Sequence, residues 1–413
     1  MSTKPIDSRG NSVTLDSRLG ITLTGGADTL ESSTNGGTLT LRSSQATDAL
    51  QFGGAAVTTW YMSDASLEAV GCGFDTIVFG ADATVTAGVV DPSGKVTVSG
   101  APQSYNADLV IWGNGTGSGI DILTSIDTLE CGPEAHSITL NAKKLALVSN
   151  DITLGGDLST YGGAVTASGD ELTVSAGATR TIDSGATGGG PAPTTAGGID
   201  LSGMASIRGS TASAELSLKA RGGVNGADVL LAGATTGTGG VSQLSLLEVS
   251  NWDASGARVV SLGPVNLAST ATSASSVQIN FGASSTSFVR INGAIDISSN
   301  VAAMSGGSFD ASIARLIPYA ANTELKIDSS ATLTGGGGDF GGFVRFGSIV
   351  GTTIGASTEY FNGVDIDTRG DTGNGSLVIT STGTGFPKIE VDGELTTAAD
   401  HQAVILAGSI SMP

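Results

Sequence analysis

Apolar residues in this chain occur as short Val, Ile and Leu clusters with polar neighbours, separated by Gly, Ser, Thr and Asn. Segments such as "KVTVSG" from Lys95, "DLVIWG" from Asp108, "SIDTLE" from Ser125, "SITL" from Ser137 and "KLALV" from Lys144 follow one another within a single stretch of about 60 residues. Alternation over so few residues, bounded each time by turn-forming residues, predicts many short strands and no long helices.

The pattern repeats. An Asp leading an apolar cluster occurs at Asp48, Asp108, Asp170, Asp228 and Asp339, and the first three intervals are 60, 62 and 58 residues. The longer gap before Asp339 leaves room for one copy near Phe288 that lacks the Asp. A second landmark travels with the first: Ser66, Ser125, Ser245 and Ser357 each lie 17 or 18 residues after the matching Asp. In the third copy the counterpart is Ser206, displaced by a Gly/Pro-rich loop at 184–198. Two landmarks that keep register point to an internal repeat rather than to biased composition.

A unit of about 60 residues with several strands fits three architectures. A six-bladed β-propeller matches the count, but its blades run nearer 40 to 50 residues and carry aromatic motifs. An array of small β-sandwiches would leave each unit short of core. A right-handed parallel β-helix needs only short strands and tight Gly/Ser/Thr/Asn corners. The expected fold is therefore an all-β, right-handed parallel β-helix (a β-solenoid) built from about six such repeats. Turns of about 20 residues would place three turns in each repeat and about 20 in the chain, with small residues stacked inside. Residues 1–36 are expected to form an N-terminal cap or arm, and 37–413 one continuous β-helix.

The stretches "VTVSGAPQSYNADLVIWG" and "GVSQLSLLEVSNWDASGARVVSLGPVNLAST" resemble repeats of filamentous-haemagglutinin-like and autotransporter-passenger-like exoproteins. The resemblance spans roughly 37–410 in pattern and implies a long β-helix on a bacterial surface, serving adhesion or surface structure.

Composition narrows the function. Charged residues make up 14% and aromatics 5%, while 63 glycines exceed the usual share. Eighteen basic residues against 38 acidic ones give a net charge of −20, which repels phosphate backbones and anionic membranes. Nucleic-acid binding and membrane insertion are not expected, and no apolar run approaches the ~20 residues of a membrane span. The start, "MSTKPIDSRGNSV", lacks the apolar stretch of a secretory signal. Export without such a signal, or origin as a mature piece of a longer protein, is expected.

The recurring Asp has two readings. At a corner it accepts backbone N–H groups and turns the chain. Alternatively, Gly-x-Asp fragments such as "GADTL", "GFDTIV" and "GADVLL" share features with calcium-binding nonapeptide repeats, making Asp28, Asp75, Asp82 and Asp228 the Ca²⁺ candidates. Equivalent Asp residues three turns apart would sit about 14 Å apart and could not share an ion. No other cofactor is expected.

Cys72 and Cys131 recur 59 residues apart. On the same geometry they are about 14 Å apart, beyond disulfide reach, and two free thiols are expected. His136 and His401 are the only histidines and suggest no triad. Trp60, Trp112 and Trp252 fall in separate repeats; Trp60 with Tyr61 is the best site for stacking a sugar, with core packing the plainer alternative. The pairs Thr22/Thr24, Thr38/Thr40, Thr84/Thr86 and Thr332/Thr334 are not one turn apart, so no flat ice-binding array follows.

The function expected from these features is that of an extracellular or cell-surface structural protein, a filament subunit or adhesin stalk and not an enzyme. End-to-end self-association through an uncapped C-terminal strand, and a surface glycan or protein ligand, are the expected partnerships. The rival is a β-helix lyase or glycosidase acting on polysaccharide.

Overall fold

The computed structural model describes residues 6–26, 28–45, 48–80, 94–105, 107–113, 119–128, 144–185, 196–222, 226–251, 258–267, 274–281, 287–299, 301, 304–311, 314–331, 341–354, 357–370 and 375–379, with the strand backbones of 388–390, 395–397, 403–405 and 409–411. Asp82, Cys131, His136, Trp252, Asp339 and His401 lie outside them. The chain divides into two compact units, 1–173 with 180–198, and 174–179 with 199–413.

In the first unit, strands stack in parallel and in register along three columns. The first runs Leu39, Ile77, Leu109, Leu145 and Val165. The second runs Leu50, Val96, Ile120 and Ile152. The third runs Gln103, Ile126, Leu158 and Ile182. Val13–Ser17 adds a further parallel partner beneath Thr38–Ser43. Alternation within each strand explains the arrangement: in Asp108–Gly113 the buried positions are Leu109, Ile111 and Gly113, and the residues between them face outward.

The second unit repeats the design. Its first column runs Ile199, Val229, Val260, Val289, Leu316, Ile349, Ile389 and Ile410. Its second includes Ile207, Val241, Val265, Ile295, Ile327 and Ile366. Leu247, Val277, Phe309, Val344 and Leu377 define the third. One hairpin, Thr352–Ile354 with Ser357–Glu359, is antiparallel.

Each unit is thus a parallel β-helix with three strands per turn. Propeller blades and small sandwiches need antiparallel neighbours, and the parallel ladders rule both out. The turn is longer than expected. Successive partners at 199, 229, 260, 289 and 316 lie about 30 residues apart, so a 60-residue interval covers two turns rather than three. The excess lies in the chain between strands, whose length an apolar pattern does not reveal.

The interior also differs from the small-residue stack anticipated. It is filled by Leu, Ile, Val and Phe. Phe52 and Phe79 stack at 4.1 Å, Trp60 tilts onto Phe52 at 5.2 Å, and Tyr105 meets Phe79 edge-on at 5.6 Å. Small polar residues are buried at corners instead, among them Ser43, Ser184, Ser299 and Ser329. The single α-helix among the described residues, Asp64–Glu68, is capped by the Ser63 hydroxyl, which accepts the Ser66 N–H.

Candidate functional site

The polar groups most regularly placed by this scaffold are aspartates, and they occupy two kinds of position. At the first, Asp leads a strand and its carboxylate accepts the backbone N–H of its counterpart one turn on. Asp108 accepts from Lys144 at 2.9 Å, Asp157 from Thr181 at 2.9 Å and Asp228 from Val259 at 2.9 Å. The strand registers make these pairs equivalent: in each, the next residue of the Asp strand faces the next residue of its partner. Ser12 does the same for Thr38. Two of the recurring Asp residues, Asp108 and Asp228, thus stitch one turn to the next, whereas the Asp48 carboxylate accepts the Ser43 hydroxyl.

Asp108 and Asp228 lead first-column strands, while Asp48 precedes a second-column strand. Asp170 donates its N–H to the Asn150 oxygen, just before the second-column strand Asp151–Leu154.

At the second kind of position, Asp follows a buried Ile, closing the strand in every case but Asp200, which lies near the start of Ile199–Gly209, and accepts the N–H two residues on. Asp183, Asp200, Asp296, Asp328 and Asp367 make this bond to Gly185, Ser202, Ser298, Ser330 and Arg369 at 2.9 to 3.0 Å. Asp7 bonds Arg9 in the same way and also accepts both the N–H and the hydroxyl of Ser33. Those bonds, the Ser33 hydroxyl's first among them, hold the Asp7 carboxyl down at about 2. Sequence reading followed only the Asp before a strand. The Ile-Asp pair that ends strands at 6–7, 126–127, 182–183, 295–296, 327–328 and 366–367 is an equally visible signal in the sequence.

Of the calcium candidates, Asp82 lies outside the described residues. Asp28 adopts a left-handed backbone (φ 59°) beside Gly71. Asp75 is exposed, and its backbone accepts from Asp108 at 2.8 Å. Asp228 directs its carboxylate to Val259. Among the described residues, no three His, Cys, Asp or Glu side chains converge as a metal site.

A polar cluster in the first unit gathers around Asp64. Its carboxylate accepts from the backbone of Gly54 and Ala101 and from the Gln103 amide, at 3.1 to 3.3 Å. The Tyr105 hydroxyl donates to Gln103 at 3.0 Å. Burial pushes the Tyr105 phenol well up, and the Asp64 charge adds to the shift. Trp60 is fully buried and its indole N–H bonds the Ser17 carbonyl at 3.0 Å, while the Tyr61 hydroxyl donates to the Gly54 carbonyl. Trp60 packs in the core, which withdraws it from sugar stacking, while Tyr61 is half-buried.

The two free thiols expected from the spacing are not found. Cys72 is disulfide-bonded, and there is no free cysteine among the described residues. The chain has one other cysteine, Cys131.

Among the described residues, no helix is long and apolar enough to cross a membrane. No family model, curated protein or solved structure matches the chain.

Proposed function

We propose that this chain is an extracellular or cell-surface structural protein, a β-helical filament subunit or adhesin stalk. The carrying observation is where its scarce charge is used: Asp108, Asp157 and Asp228 bridge successive turns, and the strand-closing aspartates hold the corners. Such a chain devotes its polar chemistry to continuing the stack. The disulfide at Cys72 suits an oxidising compartment, and the pattern resemblance to surface exoproteins points the same way.

Protease shaving of intact source cells, with immunogold microscopy, tests the reading. Label outside the cell that shaving removes is expected, with filaments marking a subunit and separate particles a stalk. Label confined to the cytoplasm would overturn it.

A further inference from the structure

Two adjacent columns of the second unit place arginines and aspartates side by side at one corner. On the first, Phe288–Ile291 pairs with Arg315–Pro318, setting Phe288 against Arg315 and Arg290 against Ile317. Val289 and Ile291 are buried, so Phe288 and Arg290 face outward. The Arg315 guanidinium lies 6.0 Å over the Phe288 ring, and that of Arg290 lies 5.9 Å over Tyr319. Neither guanidinium has a hydrogen bond or a carboxylate among the described residues. Three other basic side chains in this unit are paired with carboxylates: Arg345 with Asp310, Arg369 with Asp367 and Lys326 with Glu324. A guanidinium lying on a ring keeps its edge N–H groups available for a carboxylate.

On the second column Asp296, Asp328 and Asp367 stack in register over three successive turns. Like charges directly opposite, at the ~4.8 Å strand spacing, oppose each other. Arg369 pairs with Asp367 and its charge also reaches Asp328, but among the described residues neither Asp296 nor Asp328 has a guanidinium or ammonium in direct contact. The strand ends at Ile291 and the next begins at Ile295, so the two faces adjoin.

We propose that these faces bind a second copy of this chain side to side. A two-fold axis would set Arg290 and Arg315 of each copy against Asp296 and Asp328 of the other, making every contact twice. A second copy supplies both missing halves at once: carboxylates for the arginines and guanidiniums for the aspartates. The net charge of −20 repels copies at long range, but at physiological ionic strength the screening length is about 8 Å, so the touching patches dominate. This pairing is lateral and independent of the cellular role proposed above: its failure would leave that role standing.

Charge exchange tests it on the full chain by sedimentation velocity at physiological salt. Wild type should associate, and Arg290→Glu/Arg315→Glu and Asp296→Arg/Asp328→Arg should each sediment as monomers. An equimolar mixture of the two variants should associate again, with differently labelled copies sedimenting together. Circular dichroism checks that each variant folds. Should one not fold, Arg290→Gln/Arg315→Gln and Asp296→Asn/Asp328→Asn replace them, with association weakened at least tenfold. A wild type that stays monomeric at high micromolar concentration overturns the proposal. So do folded variants that associate as wild type does, and so does a mixture that fails to restore association. Retention of a polyuronate by a monomeric wild type would assign the arginine face to an anionic glycan instead.

Discussion

Asp157 and Asp228 make the same bond in different surroundings, and that difference sets what each contributes. The Asp157 bond to Thr181 is partly buried and the Asp228 bond to Val259 is exposed. Removing the acceptor strands a donor that water reaches easily only at the second site. Asp157→Ala should therefore lower stability by about 1 kcal/mol, Asp228→Ala by less, and Asp157→Asn, which keeps an acceptor, should remain near wild type. Urea denaturation midpoints read all three. Asp7 makes the matching case for pH. Its folded pKa, about 2, lies below the ordinary 3.8, so its contribution is complete above the ordinary value and is lost as pH falls through the folded one. Ser33→Ala removes the largest cause and should bring the Asp7 carboxyl back toward 3.8, observable by NMR titration.

At the scale of the element, close stacking of successive turns makes some glycines irreplaceable. Gly80 has φ +96°, and a Cβ there would meet the Trp112 carbonyl of the next turn. Gly177 has a similar φ of +102° with nothing near its missing Cβ. Alanine at either position carries the left-handed cost of about 1–2 kcal/mol, and only Gly80→Ala adds a steric clash. Thermal unfolding should rank Gly80→Ala clearly below Gly177→Ala; equal midpoints would mean that the ladder between Thr76–Gly80 and Asp108–Gly113 yields easily. The strands were legible in advance because burial alternates within them, as in Leu145–Ser149 and Asp108–Gly113. Their column membership was not, since Asp48 and Asp108 open alike-looking segments that stack on different columns.

For the whole molecule, the disulfide is the one covalent constraint beyond the chain itself. Denatured, unreduced protein should show no reactive thiol, and Cys72→Ser should cost about 2–4 kcal/mol, read from denaturation with and without reductant. Two titratable thiols in unreduced protein would contradict the bonded Cys72.

By itself the sequence determined the fold class, because short alternating clusters with Gly-rich corners suit parallel stacking and leave little for another core. It also carried the structural reading of Asp108 and Asp228, whose acceptor chemistry needs only a nearby N–H. Only the tertiary structure decided the turn length, the bonded state of Cys72, the burial of Trp60 and the juxtaposition of Arg290 and Arg315 with Asp296 and Asp328. Each depends on how many residues the chain consumes between strands. Apolar periodicity carries no record of that number, yet it fixes which residues, about 30 apart in the chain, become neighbours one strand spacing apart.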